Sequence, residues 1–196
     1  MTSLPDHPTA LRATVGPSTT KDESPQLPEG LAVRPVQPDD AARLVRLHGR
    51  LSPETIYKRF HSPMPTPSPA LIDHLANVDG DDREALVVTL GDEIIAVARW
   101  DCYEDDPTTA EIAILVEDAW QGHRIGTLLL AELAAAATEV GVDRFDALVL
   151  SDNRTPMAAL FRAALGEVHA GFEDGEIHLV ADLTHDDAAA EDTTAA

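Results

Sequence analysis

The stretch TAEIAILVEDAWQGHRIGTLLL, residues 109–130, constrains the chain most. Over 109–116, Glu111, Ala113 and Leu115 fall on one face and Ala110, Ile112, Ile114 and Val116 on the other, which is the period of a strand. From residue 125 the period becomes helical. Ile125, Leu128, Leu129, Leu133, Ala136, Ala137 and Val140 line one face, and Gly141 supplies the stop. A strand that runs through a glycine turn into an amphipathic helix commits the chain to layers of helix on sheet.

The flanking sequence extends that pattern. LAVRPV (31–36) reads as a strand, and Pro38 starts a helix carrying Ala41, Leu44, Val45, His48 and Leu51. Ser52-Pro53-Glu54 is a strong helix start, leading into Ile56, Tyr57 and Phe60 and ending at HSPMPTPSP. A short helix, ALIDHLANV, follows. REALVVTL and EIIAVARW flank Gly91-Asp92 as a hairpin. DCYEDDPT reads as a loop before the 109–116 strand, and beyond Gly141 come the strand RFDALVL, the helix TPMAALFRAAL and a final hairpin, EVHAGF with EIHLVADL. The fold class expected is α/β (α+β).

Residues 1–29 are proline-rich and have no apolar period, and 184–196 are acidic and alanine-rich. Such segments bury too little surface to offset their ordering entropy, so both read as disordered tails around a single domain, 30–183. No apolar run approaches the roughly 20 residues that span a bilayer, and no secretory signal opens the chain, so no membrane role and a cytoplasmic location are expected. The net charge of −21 and pI near 4.4 argue against nucleic-acid binding. The same field favours cationic partners, or serves only solubility. One cysteine, Cys102, excludes an internal disulfide, and no metal site is expected. His169 and His178 face each other across the last hairpin on this reading, too few ligands for zinc.

A strand–glycine–helix turn is the setting of a phosphate cradle, because the first helical turn presents unpaired N–H groups and a partial positive charge. It is equally the setting of an ordinary turn, and neither G-x-G-x-x-G nor Gly-Lys-Ser/Thr occurs here. Glu111 is the most pointed single residue. A carboxylate among apolar neighbours on a central strand is expected to be desolvated, with its pKa raised toward neutrality. That suits a general base acting on an amine, although a salt-bridged structural glutamate fits the same pattern.

QGHRIGT resembles the acyl-CoA pyrophosphate loop of the GNAT superfamily of N-acetyltransferases, Gln/Arg-x-x-Gly-x-Gly/Ala. Gln121 and Gly126 match its first and last positions, and Arg124 replaces the middle glycine. LSPETIYKRF and AEIAILVEDAWQG together are similar to the GNAT domains of bacterial Pat-type protein-lysine acetyltransferases. The resemblance implies a mixed, largely antiparallel sheet flanked by helices, with acetyl-CoA as acyl donor and no metal. Its acceptor would be an amine, first among them a protein lysine, with a small-molecule amine as the alternative, and its assembly a monomer or homodimer. A non-catalytic acyl-CoA sensor is the reading of another class.

The resemblance also implies roles. Glu111 takes the general base, main-chain groups of Leu115 and Val116 take the pantetheine arm, and Gln121, Gly122, His123, Arg124, Ile125, Gly126 and Thr127 surround the diphosphate. Asn153 lies near the pantetheine or caps the following helix. The tyrosine acid common in this superfamily has no counterpart, since Phe161 stands there, and Ser151, Tyr57, Tyr103 or water is left as proton donor. An arginine at 124 is expected to have ordinary helical dihedrals, because a positive φ is costly without glycine.

Overall fold

The structure, a computed structural model, describes residues 27–173 and 176–183. The expected tails lie largely outside that range; within it, Leu27 already packs against the core. Strand β1 (Leu31–Pro35) leads through a 3-10 turn (Pro38–Asp40) into α1 (Ala41–Arg50), α2 (Pro53–Phe60) and α3 (Pro69–Ala76). Then come β2 (Arg83–Leu90), β3 (Glu93–Tyr103), β4 (Asp106–Val116), a 3-10 turn (Asp118–Trp120), α4 (Ile125–Glu139), β5 (Arg144–Val149), α5 (Arg154–Leu165), β6 (His169–Glu173) and β7 (Glu176–Asp182).

The local signals act as their chemistry requires. The Ser52 hydroxyl accepts the Thr55 N–H at the start of α2, and Gly141 closes α4 at φ +92°. Asp40 is fully buried and accepts the Gln37 N–H, tying β1 to α1 while pairing with Arg34 at 2.6 Å.

Among the described residues, seven strands form one sheet in the order β1-β2-β3-β4-β5-β7-β6, antiparallel throughout except for β4 beside β5. Two apolar cores lie on its two faces. On one, α4 and α5 cover Trp100, Ile112, Phe145 and Leu179. On the other, α1 to α3 cover Ala85, Val87 and Leu115 with Leu44, Leu47, Ile56 and Ile72.

The structure corrects several expectations. DCYEDDPT is not a loop. Cys102 pairs with Ala110 and Tyr103 with Asp106, so β3 and β4 form one long ribbon with a tight turn, cross-strand pairing having overridden the turn-like composition. On α1, Leu47 is buried while Val45 is 45% exposed; on α4, Leu130 and Ala134 are buried while Val140 is 42% exposed. In each case the orientation of the helix on the sheet selects the buried face.

Candidate active site

The parallel pairing of β4 with β5 covers three residues: Thr109, Ala110 and Glu111 stand opposite Arg144, Phe145 and Asp146. Both strands continue beyond that rung. The rest of β4 stays paired with β3 as far as Val116, and β5 stays paired with β7 as far as Val149. Each strand follows its antiparallel partner, so the sheet splits. A cleft of about 880 Å³ opens in the split, walled by Ile112–Val116 on one side and Ala147–Val149 on the other.

At the mouth of the cleft lies the turn into α4. The backbone N–H groups of Gly122 through Thr127 have no acceptor among the described residues; the first intrahelical bond runs from the Leu128 N–H to the Arg124 carbonyl. Gly122 has φ +78° and Arg124 φ +61°, ψ 9°. The helical dihedrals expected of Arg124 are therefore overturned. Left-handed residues at 122 and 124, with His123 between them at ordinary φ, form a concave nest of N–H groups of the kind that binds anions. A non-glycine residue in that conformation costs on the order of 1–2 kcal/mol. Strain of this sort persists at ligand sites because surrounding structure imposes it.

The other residues of the loop divide into holders and liners. Gln121 Nε2 donates to the Val116 carbonyl at 3.1 Å and to Thr55 Oγ1 at 3.3 Å, so this side chain pins the loop to β4 and α2. Nearby, Asp118 accepts from the Ser52 amide and hydroxyl and from the Thr55 hydroxyl. Burial pushes the Asp118 carboxyl up, and these donors more than offset it, holding it below the ordinary range. His123 is exposed, with Nδ1 2.9 Å from the Gln121 carbonyl and its ring beside Trp120. Ile125 and Leu115 have buried side chains, which leaves only their backbone for a ligand. A Cβ on Gly126 would lie 2.8 Å from Leu160 Cδ1, so this glycine lets α4 and α5 approach closely. Asn153 occupies the N-cap position of α5 without a side-chain capping bond, and it lines the cleft.

Glu111 is exposed at the rim of the cleft, not desolvated as expected, because the strands part immediately beyond it. Phe161 is fully buried. Of the proton-donor candidates, Tyr57 is 47% exposed and Ser151 exposed, while the Tyr103 hydroxyl donates to Asp146 at 3.0 Å. Burial first, and then the Asp146 charge, raises the Tyr103 pKa well above the ordinary phenol value, so it holds its proton. Burial likewise raises the Cys102 thiol, with the acidic residues around it adding to the effect. The two histidines of the last hairpin are not opposite one another: His169 faces Val180, His178 faces Gly171, and His178 is bonded to Asp146. No metal-binding group occurs among the described residues.

Sequence reasoning missed Arg59 and Asp146, and it weighed His178 only as a zinc ligand paired with His169. Arg59 lines the cleft and stacks 4.9 Å from the Phe60 ring, with no ion pair among the described residues. Burial, then the Arg99 cation, pulls its pKa down to about 10. The alternation within RFDALVL was the available signal for Asp146, since it places Asp146 between Arg144 and Leu148 on the polar face of β5.

The profile of the Acetyltransferase (GNAT) family matches residues 51–166. Over 127 residues the chain is 40% identical to acetyltransferase Pat of Mycolicibacterium smegmatis, a match covering 64% of this chain and 38% of that protein, so the chain spans well under half of that relative. The GNAT domain of S. lividans PAT superposes with a TM-score of 0.71 at 37% identity, over 76% of this chain and 89% of that one. A Salmonella typhimurium protein solved with its cofactor acetyl-CoA shares the fold, with a TM-score of 0.64 at 18% identity over 85% and 100% of the two chains.

Proposed function

The chain belongs to the acetyltransferase (GNAT) family, and from that premise we propose that it transfers an acetyl group from acetyl-CoA to an amine, the ε-amine of a protein lysine foremost. The observation that carries this reading is the row of unpaired N–H groups from Gly122 to Thr127 at the mouth of a split sheet. A diphosphate would take those donors, together with the partial positive charge of α4. The pantetheine arm would then lie along β4, with Asn153 across the cleft and the thioester beside Leu115 and Val116, on the side that leads toward Glu111.

Both substrates are held at once, so the amine attacks the thioester carbonyl directly. Glu111 takes a proton from the attacking nitrogen, while strand N–H groups beside Leu115 and Val116 steady the developing oxyanion. The tetrahedral intermediate collapses with departure of the CoA thiolate, which is then protonated. Bound substrates would exclude water from Glu111, which is exposed here. The charge of −21 would draw in a cationic acceptor.

The fully buried Phe161, where the family resemblance implies a tyrosine, favours a second reading as a non-catalytic acyl-CoA sensor. Thermal stability measured with and without acetyl-CoA, followed by transfer assays on lysine peptides and small amines, separates the two. A shift on binding with transfer supports the enzyme; a shift with no transfer to any amine supports the sensor. The absence of any shift at millimolar acetyl-CoA overturns both.

A further inference from the structure

Beyond the rung that joins Glu111 to Asp146, a hydrogen-bonded trio occupies the same face of the sheet. Tyr103 from β3 donates to Asp146 Oδ2 at 3.0 Å, and His178 Nδ1 from β7 lies 3.0 Å and 2.9 Å from the two Asp146 oxygens. An ionised carboxylate only accepts, so the proton of the neutral imidazole sits on Nδ1 and Nε2 carries the lone pair. Among the described residues, nothing donates to that Nε2. His178 stands directly opposite Leu148, which lines the cleft, so the imidazole is one strand away from the split. Its side chain is 24% exposed, against 15% for Asp146. This is the arrangement of an oriented acid–base histidine: a carboxylate fixes the tautomer, and the outer nitrogen is free to exchange a proton.

The chemistry calls for a second proton acceptor. An ammonium acceptor loses two protons from nitrogen on becoming an amide. The first goes before the lone pair can attack and the second as the C–N bond forms; one proton ends on the CoA thiolate and one in solvent. A single carboxylate, Glu111, accounts for one of these transfers.

We propose that His178 Nε2 takes the first proton, from the acceptor ammonium, and passes it to water, while Glu111 takes the second during attack. His178 is then a catalytic residue, with Asp146 and Tyr103 positioning it. This assignment rests on the acetyltransferase reading above. The titratable and charged groups that share the face with His178 are Asp146 of β5, Tyr103, Asp101 and Arg99 of β3, Glu111 of β4 and His169 of β6, with the Arg144–Asp182 pair one row further; α5 packs against β7 from the other side.

The test compares pH–rate profiles of kcat/KM for the full chain, wild type and His178→Asn, with a lysine peptide as acceptor and acetyl-CoA binding measured alongside. An asparagine amide retains a donor toward Asp146 but has no titrating nitrogen. The expected result is unchanged acetyl-CoA affinity and a loss of about 10²-fold near neutral pH. That loss shrinks as pH approaches the ordinary lysine pKa of about 10.4, where the acceptor deprotonates itself. An acceptor amine that is already neutral at pH 7 is expected to restore the rate of the variant. A defect of equal size at every pH and with both acceptors means that His178 is structural, and wild-type behaviour means that it is idle; either overturns the proposal. With wild type active and Glu111→Gln inactive, such a result removes only His178. A wild type that acetylates no amine removes the acetyltransferase reading and this one together.

Discussion

Glu111 and Asp146 stand opposite each other on the last rung that joins β4 to β5. On one side of that rung the sheet is continuous; on the other it splits into the cleft. The two carboxylates share a face and differ in surroundings. Glu111 is exposed, whereas Asp146 is 15% exposed and holds Tyr103 and His178.

That contrast separates their variants. Glu111→Gln keeps the shape of the rim and removes the base, so kcat is expected to fall by about 10²–10⁴-fold with acetyl-CoA affinity unchanged. Steady-state kinetics paired with calorimetric titration of acetyl-CoA checks both halves. An unchanged kcat would show that the base is elsewhere.

Arg124 couples strain to charge. Replacing it with glycine relieves a φ of +61°, while the unfolded chain gains freedom that partly cancels the benefit. Arg124→Gly is expected to leave stability unchanged or raise it by up to about 1 kcal/mol. Because the side chain lines the cleft with no ion pair among the described residues, acetyl-CoA affinity is expected to fall a few-fold. Urea denaturation and ligand titration read the two effects separately; a drop in stability with intact affinity would contradict the assignment.

Gly126 is a packing glycine with a functional consequence. Alanine there would place a Cβ 2.8 Å from Leu160 Cδ1, and Leu160 lines the cleft. The flexible leucine end is expected to swing away, so Gly126→Ala weakens acetyl-CoA binding more than it weakens the fold. Adding Leu160→Ala removes the clash and is expected to recover affinity in a double-mutant cycle. Additive losses would place the effect of Gly126 on the ligand and not on Leu160.

Asp40 sets an acid limit for the fold. The hydrogen bond from Arg34 holds its carboxyl below the ordinary value, against the effect of burial. A depressed carboxylate contributes its full stability above the unfolded pKa of about 3.9, and the contribution is lost as pH falls through the native value. Asp40→Asn is expected to cost about 2–3 kcal/mol at pH 7, the scale of lost bonds to charged partners. The urea midpoints of variant and wild type are expected to converge as pH falls through the lowered native pKa of Asp40. A gap that persists in acid would mean that packing, and not charge, makes Asp40 matter.

Much of the fold was legible in residues 31–183 because its signals are local. Ser52 caps its helix, Gly141 ends another, and alternation along 109–116 assigns faces to a strand. The loop at 121–127 was legible as a candidate anion site for the same reason: a helix start is specified by its own few residues. The left-handed Arg124 was not, since the dihedral preference of an isolated arginine points the other way and only the tether of Gln121 to β4 and α2, with the closing of α4 beyond it, imposes the turn.

The cleft and its acid–base neighbours belong to tertiary structure alone. The split between β4 and β5 arises because each strand follows a different partner, a competition that neither strand records in its own residues. Tyr103, Glu111, Asp146 and His178 come from four strands and meet only through the sheet order. Sequence determines the period and the ends of each element, because those depend on contacts a few residues apart. Which side chains face one another across strands is decided when the strands pair, because register is a property of the assembled sheet.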